Sequence, residues 1–208
     1  LDAVPGLLKA PRLALALSSH DWSEFLSILR VSGTMGTFQA RAEREGCLDA
    51  FPVVARRHVD SMRRRSDRQA QQVIFECALI SRVLAAHDIK PVFLKGAAYT
   101  LMETRNSVGR TYTDIDVLVP EAVINAASTV LEANDWEPKD VTDYDERYYR
   151  KWAHELPPMG HPTRKTVIDL HHNILPPISG RAPDINYLLN ARTETPYGDA
   201  LQPHALFV

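Results

Sequence analysis

Residues 113–120 read TDIDVLVP, and their strict alternation constrains the fold more than any other stretch of the chain. Side chains on a strand point alternately to its two faces. A strand over residues 114–119 therefore sends Asp114 and Asp116 to one side and Ile115, Val117 and Val119 to the other, into a core. Two carboxylates fixed side by side repel each other unless a cation lies between them. A hard divalent ion with a preference for oxygen ligands, such as Mg²⁺, suits that position. The same alternation also describes an ordinary half-exposed strand, so the neighbouring segments decide between the two readings.

Upstream lies PVFLKGAAYTLM, residues 91–102. A short apolar strand over 91–95 ends in Lys95-Gly96 and gives way to helix-favouring residues over 97–105. Glycine at such a junction permits close backbone approach, and the unpaired N–H groups at the start of the helix attract phosphate. The side chain of Lys95 adds a positive charge. Downstream, TVIDLHHNI (residues 166–174) is a β-rich run carrying a third carboxylate. Parity places Val167, Asp169 and His171 on one face and Ile168, Leu170 and His172 on the other. A strand here, paired beside residues 114–119, brings Asp169 to the Asp114–Asp116 pair.

The succession LKGAA, RTYTDIDVLV and VIDLHH resembles the uncharacterised bacterial nucleotidyltransferases called nucleotidyltransferase family 5, within the polymerase-β-like superfamily. The likeness spans roughly residues 70–175. It implies an enzyme that moves a nucleoside monophosphate from an NTP, ATP among them, to a hydroxyl acceptor with release of pyrophosphate. By that resemblance Asp114, Asp116 and Asp169 are the catalytic residues and hold two Mg²⁺ ions, with Mn²⁺ as an alternative. Asp169 is either a metal ligand or a general base. Lys95 and the backbone at Gly96 and Ala97 would contact the phosphates; Arg110 is a further phosphate contact or a solvated loop arginine, and His171 contacts phosphate, orients the Asp169 carboxylate or hydrogen-bonds within the sheet. Two departures stand out. The superfamily turn carries Gly-Ser, whereas Ala97 and Ala98 follow Gly96 here and supply no hydroxyl. The interval from Gly96 to Asp114 is also long for the superfamily, though it suits this branch.

The fold expected is α+β: a small mixed-sheet nucleotidyltransferase core over residues 89–208 with helices on one side, after a helical region over 1–88. Asp21 is expected to cap a helix bearing Trp22, Phe25, Leu26 and Leu29. A second helix starting near Ser66-Asp67 carries Val73, Cys77, Ile80 and Leu84 on one stripe. Pro120-Glu121 should open a helix with Val123, Ile124, Ala127, Val130 and Leu131 in register. A short strand is expected near Trp136, and a hairpin of 146–157 with 165–172 around Gly160-His161-Pro162. Relatives of this type continue into a helical region after a segment like LQPHALFV (201–208), so the chain reads as a short member or a fragment.

The chain has 208 residues, 45% of them hydrophobic, and a net charge of −2, with no overall pull toward nucleic acid or an anionic membrane. Two cysteines, Cys47 and Cys77, make no disulfide framework, which favours a reducing, cytoplasmic setting. No apolar run is long enough for a membrane span. The opening LDAVPGLLKAPRLALAL lacks a basic leader and a cleavage site and is not read as a signal peptide. ARRHVDSMRRRSDR (55–68) holds six arginines. Asp60, Asp67 and the absence of aromatics within the run favour a solvated helical face over contact with RNA, DNA or polyphosphate. His154, His161, His171 and His172 raise a zinc reading, opposed by the divergent faces of the adjacent pair and the lack of a ligand motif. The aromatic-rich YDERYYRKWAHEL (144–156) is a candidate lining for an acceptor cleft, against plain strand packing. The acceptor itself is left open among a small molecule, a tRNA and a protein. A catalytically degenerate nucleotide- or partner-binding scaffold and a toxin-like nucleotidyltransferase of a toxin–antitoxin pair are the alternative functions.

Overall fold

A computed structural model of the chain describes residues 4–139 and 153–207. Residues 144–152, most of the aromatic-rich stretch expected to line an acceptor cleft, lie outside the described residues. The chain forms two compact units, Leu1–Gln71 with Glu103–Thr111, and Gln72–Met102 with Tyr112–Val208.

The first unit is helical. It contains α1 (Val4–Lys9), α2 (Ser19–Val31), α3 (Met35–Arg44) and the first part of α4 (Val53–Ala85). Asp21 is the third member of a capping box whose cap is Ser18. The Ser18 hydroxyl accepts from the Asp21 N–H at 3.2 Å, and the Asp21 carboxylate accepts from the Ser18 N–H at 3.2 Å. The cap thus lies three residues before the acid, because a reciprocal box satisfies two amides where a lone cap satisfies one. Trp22, Phe25, Leu26 and Leu29 are all buried as the periodicity requires. Their aromatic rings meet Phe38 and Phe51, with Phe25 edge-on to Phe38 at 5.0 Å and Trp22 edge-on to Phe51 at 5.0 Å.

Helix α4 is 33 residues long and begins at Val53, well before the Ser66-Asp67 start expected. Residues 55–68 are therefore helical, with Ala55, Val59 and Ser66 buried and Arg57, Arg63, Arg64, Arg65 and Arg68 exposed. So few apolar positions on a charged run hide its amphipathic stripe. Residues 103–111 complete the unit where Gly109 meets Gly36, backbone against backbone. A methyl on Gly36 would overlap the Gly109 carbonyl, one on Gly109 would overlap the Gly36 carbonyl, and Gly109 has φ 75°. Only glycine tolerates both demands.

The second unit is a mixed sheet with helices. Its strands are β1 (Val92–Phe93), β2 (Ile115–Leu118), β3 (Glu137–Pro138), β4 (Met159–Gly160), β5 (Val167–His171), β6 (Arg192–Thr193) and β7 (Asp199–Leu201). They lie in the order β3-β4-β5-β2-β1-β7-β6. β2 runs antiparallel to β1 and parallel to β5. Every residue of β2 is buried, as befits the middle of a sheet. Ile115, Val117 and Val119 enter the core with Val73, Cys77, Ile80 and Leu84 of α4. The same core takes Ala97, Ala98 and Leu101 of α5 (Lys95–Leu101) and Ile124, Ala127 and Leu131 of α6 (Ile124–Glu132). Leu118 packs instead with Val92, Leu94, Leu188 and Leu201, Leu188 being on α7 (Ile185–Asn190).

The strand expected near Trp136 is β3; the hairpin around His161-Pro162 pairs β4 with β5, so its first arm is Met159–Gly160 and not the expected 146–157, of whose described residues Glu155 joins by a bridge to His171. The turn of that hairpin is tied to α4 by a buried carboxylate. Glu76 Oε1 accepts from Arg164 Nε at 2.7 Å and from the Thr166 hydroxyl at 3.0 Å, and the Glu76 side chain has no solvent exposure. Gln72 adds a bond to Thr166 Oγ1 at 2.8 Å. Both cysteines are free and buried. Among the described residues no helix is long and apolar enough to cross a membrane.

Candidate active site

The turn from β1 into α5 is held to the central strand at two points. The Leu94 N–H donates to the Asp116 carbonyl at 3.0 Å, and Lys95 Nζ donates to Asp116 Oδ1 at 2.5 Å. The left-handed residue of this turn is Lys95, with φ 45°, and not Gly96. That conformation is uncommon outside glycine and costs roughly 1–2 kcal/mol. The strained residue is the one whose ammonium reaches the acidic strand, so its backbone and side chain are fixed together. Gly96 and Ala97 sit buried in the first turn of α5.

Parallel pairing of β2 with β5 sets Asp116 directly opposite Asp169. Side chains opposite each other across neighbouring strands share a face, so the parity expected for these two acids holds. Asp116 is buried, and its Oδ1 also accepts from His171 Nε2 at 2.9 Å. Burial works against its charge, yet the bonds from His171 and Lys95 outweigh it and hold the carboxyl below its ordinary value. Lys95 shows the matching balance. Burial disfavours its ammonium, but the bond to Asp116 and the charges of Asp116, Glu155 and Asp114 raise its pKa.

Asp169 is in the opposite condition. Its Oδ1 is buried without a hydrogen-bond partner. Burial first, then the charges of Asp114, Glu155 and Asp116, push its pKa from 3.8 to about 6. Asp114 precedes β2 and is half-buried; its charge is felt at Asp169 and Lys95. Asp116, Asp169 and His171 form one grouping whose ligand atoms lie within 4.8 Å of one another, and His154, Glu155 and His171 form a second that shares the His171 ring. Arg110 is exposed and belongs to the helical unit, outside these groupings.

One acid at this site escaped the sequence reading. Glu155 Oε2 stands 3.1 Å from His171 Nδ1, off the line a hydrogen bond needs, so the His171 ring lies between two carboxylates. The only hint in the sequence was its place in the arm of the expected hairpin. His154 packs its ring 5.4 Å from that of His171. The remaining histidines do not join them. His161 stands edge-on to Trp136 at 5.4 Å, and His172 Nε2 lies 3.2 Å from the Ala153 carbonyl.

The donor set tests the ion expected here. Asp116 and Asp169 offer hard oxygen ligands, an orphaned buried oxygen among them, and Asp169 has its pKa raised by burial first and by its carboxylate neighbours second. A divalent cation that prefers carboxylates, Mg²⁺ or Mn²⁺, fits such a set. His171 already spends Nε2 on Asp116.

The site thus joins Asp116 of the central strand, with Asp114 just before it, to Asp169 opposite and to the Lys95-Gly96 turn beside it. The chain belongs to the uncharacterised nucleotidyltransferase family, whose model matches residues 18–204. That membership supports nucleotidyl transfer, a transferase activity, as the general function. No curated protein and no solved structure matches the chain.

Proposed function

We propose that the protein transfers a nucleoside monophosphate from an NTP to a hydroxyl acceptor, releasing pyrophosphate. The observation that carries this reading is the in-register pairing of Asp116 with Asp169, with one Asp169 oxygen buried and unpartnered. Asp114, Asp116 and Asp169 are the residues that would hold two Mg²⁺ ions. When bound, such ions neutralise the triphosphate and make an acceptor hydroxyl more acidic. Asp116 is kept ionised and ready for a cation by Lys95 and His171. Lys95 balances the Asp116 charge in the free protein and is placed to turn to a phosphate when an ion takes over that role. Asp169, with a pKa of about 6, is also matched to accept a proton from the acceptor near neutral pH.

A second reading is favoured by two observations: Lys95 already covers Asp116 Oδ1, and Ala97 and Ala98 supply no hydroxyl to a phosphate. In that reading the domain binds nucleotide without turning it over.

Thermal unfolding with ATP, GTP, CTP and UTP, with and without Mg²⁺, separates the outcomes when run beside a pyrophosphate-release assay. Nucleotide at 100 times its Kd adds about 2.7 kcal/mol. For a chain of this size that is about 5–10 °C in Tm. Asp116→Asn keeps an oxygen acceptor for Lys95 and His171 while removing the charge. It should abolish both the Mg²⁺-dependent shift and transfer. Full transfer activity in this variant would overturn the assignment. A Mg²⁺-dependent shift without pyrophosphate release across many acceptors would favour the second reading.

A further inference from the structure

The helical unit contains a cavity of about 450 Å³ that the transfer chemistry does not use. One wall is a single stripe of α3, Thr37, Ala40, Arg41 and Arg44, at the i, i+3, i+4, i+7 spacing of one helix face. The other wall comes from the segment after α5, through Arg105, Asn106 and Val108. The backbone contact of Gly36 with Gly109 builds this space by setting the segment against α3. No acidic side chain lines it.

The three arginines are not alike. Arg41 donates from Nη1 to the Leu8 carbonyl at 2.9 Å and so has a structural task. Arg44 and Arg105 are exposed and form no ion pair among the described residues. A basic residue in the last turn of a helix is favoured by the helix dipole, which accounts for Arg41 and Arg44. It does not account for Arg105, brought to the same cavity from a distant part of the chain. The whole unit leans the same way. It carries 13 Lys and Arg against 9 Asp and Glu, a net +4, while the sheet unit has 11 against 17, a net −6.

The geometry points to a binding site for an organic phosphate. Three guanidinium groups, none in an ion pair among the described residues, exceed what a single carboxylate would balance, and the planar fork of arginine matches phosphate oxygens two at a time. Asn106 and Thr37 add neutral hydrogen-bonding groups, and Ala40 with the exposed Val108 gives an apolar wall for an organic portion. The volume lies within the range of small-molecule sites. The shared chemistry, a phosphate ester on a nucleoside-sized body, can come from a free nucleotide or from a nucleotide within a nucleic-acid strand.

The test uses the full chain in EDTA, which removes divalent cations from the carboxylate site. AMP binding is measured by calorimetry, and binding of a labelled single-stranded RNA hexamer by fluorescence anisotropy. Arg44→Ala and Arg105→Ala should each weaken binding at least tenfold, while Arg57→Ala, on the exposed face of α4 outside the cavity, should change it less than twofold. Binding of AMP with this pattern assigns a free nucleotide; binding of the hexamer alone with this pattern assigns a strand. Failure of both probes to bind overturns the proposal. So does an Arg57→Ala loss equal to that of Arg105→Ala, since the effect would then be bulk charge.

Discussion

Replacing Asp169 by asparagine should stabilise the protein at neutral pH while disabling the site. The group is ionised there against its surroundings, with burial and three carboxylate neighbours having moved its pKa from 3.8 to about 6. At 1.36 kcal/mol for each tenfold change in acidity, that difference corresponds to about 3 kcal/mol. The carboxyl is only partly buried, so solvent screening reduces the expected gain to about 1–2 kcal/mol. The sign follows from proton counting. Between pH 3.8 and 6 the folded state binds more protons than the unfolded state, so stability falls as pH rises through this window. The gain from Asp169→Asn should therefore be complete above about pH 7, near half at pH 5, and small below pH 4. Urea unfolding of wild type and variant in EDTA, at pH 7.5, 5 and 4, reads this directly; in thermal melts at pH 7.5 the Tm should rise by about 3–6 °C. A variant less stable than wild type by the same amount at every pH would refute the argument, because it would show Asp169 acting through packing. Added Mg²⁺ should narrow the gap by stabilising the wild type alone, if the carboxylate is a ligand as proposed.

Two further substitutions probe the frame around the site. Glu76→Ala leaves Arg164 and the Thr166 hydroxyl without their acceptor in a buried place, and should cost about 2–4 kcal/mol in urea unfolding; a loss under 0.5 kcal/mol would show the clamp on the hairpin turn to be idle. Gly109→Ala forces a methyl onto the Gly36 carbonyl at a left-handed residue. It should cost at least about 2 kcal/mol, and it should also weaken binding of any phosphate probe to the α3 cavity, whereas unchanged stability and unchanged binding would show that the close approach is dispensable.

The carboxylate site was legible wherever strand parity governed it. Asp116 and Asp169 could be put on one face because a two-residue period leaves no other choice for TDIDVLV and VIDLHH. The same logic sent Ile115 and Val117 into the core and set Ile168 and Leu170 on one face, which the structure buries in that core. Glu155 was not legible, since it reaches His171 through an isolated bridge with no periodic run around it. The early start of α4 was hidden by charge, as its buried positions 55, 59 and 66 are an alanine, a valine and a serine among arginines. β6, β7 and α7 went unread for a different reason. Strands of two and three residues give no period to detect, and β7 is held by pairing with β1, far away in the sequence. The glycine pair Gly36 and Gly109 is likewise invisible until two distant backbones are seen to touch.

That glycine contact also bears on the order in which the protein can assemble. Domains generally fold as they leave the ribosome, amino-terminal first. Here the helical unit begins the chain but closes only with Glu103–Thr111. By the time Gly109 can settle on Gly36, the residues of β1 and α5 have already emerged, while β2, their partner, follows Gly109 in the chain. Completion of the first unit is thus postponed until the second has begun, and a pause in translation before residue 109 would leave α3 with one wall of its cavity missing.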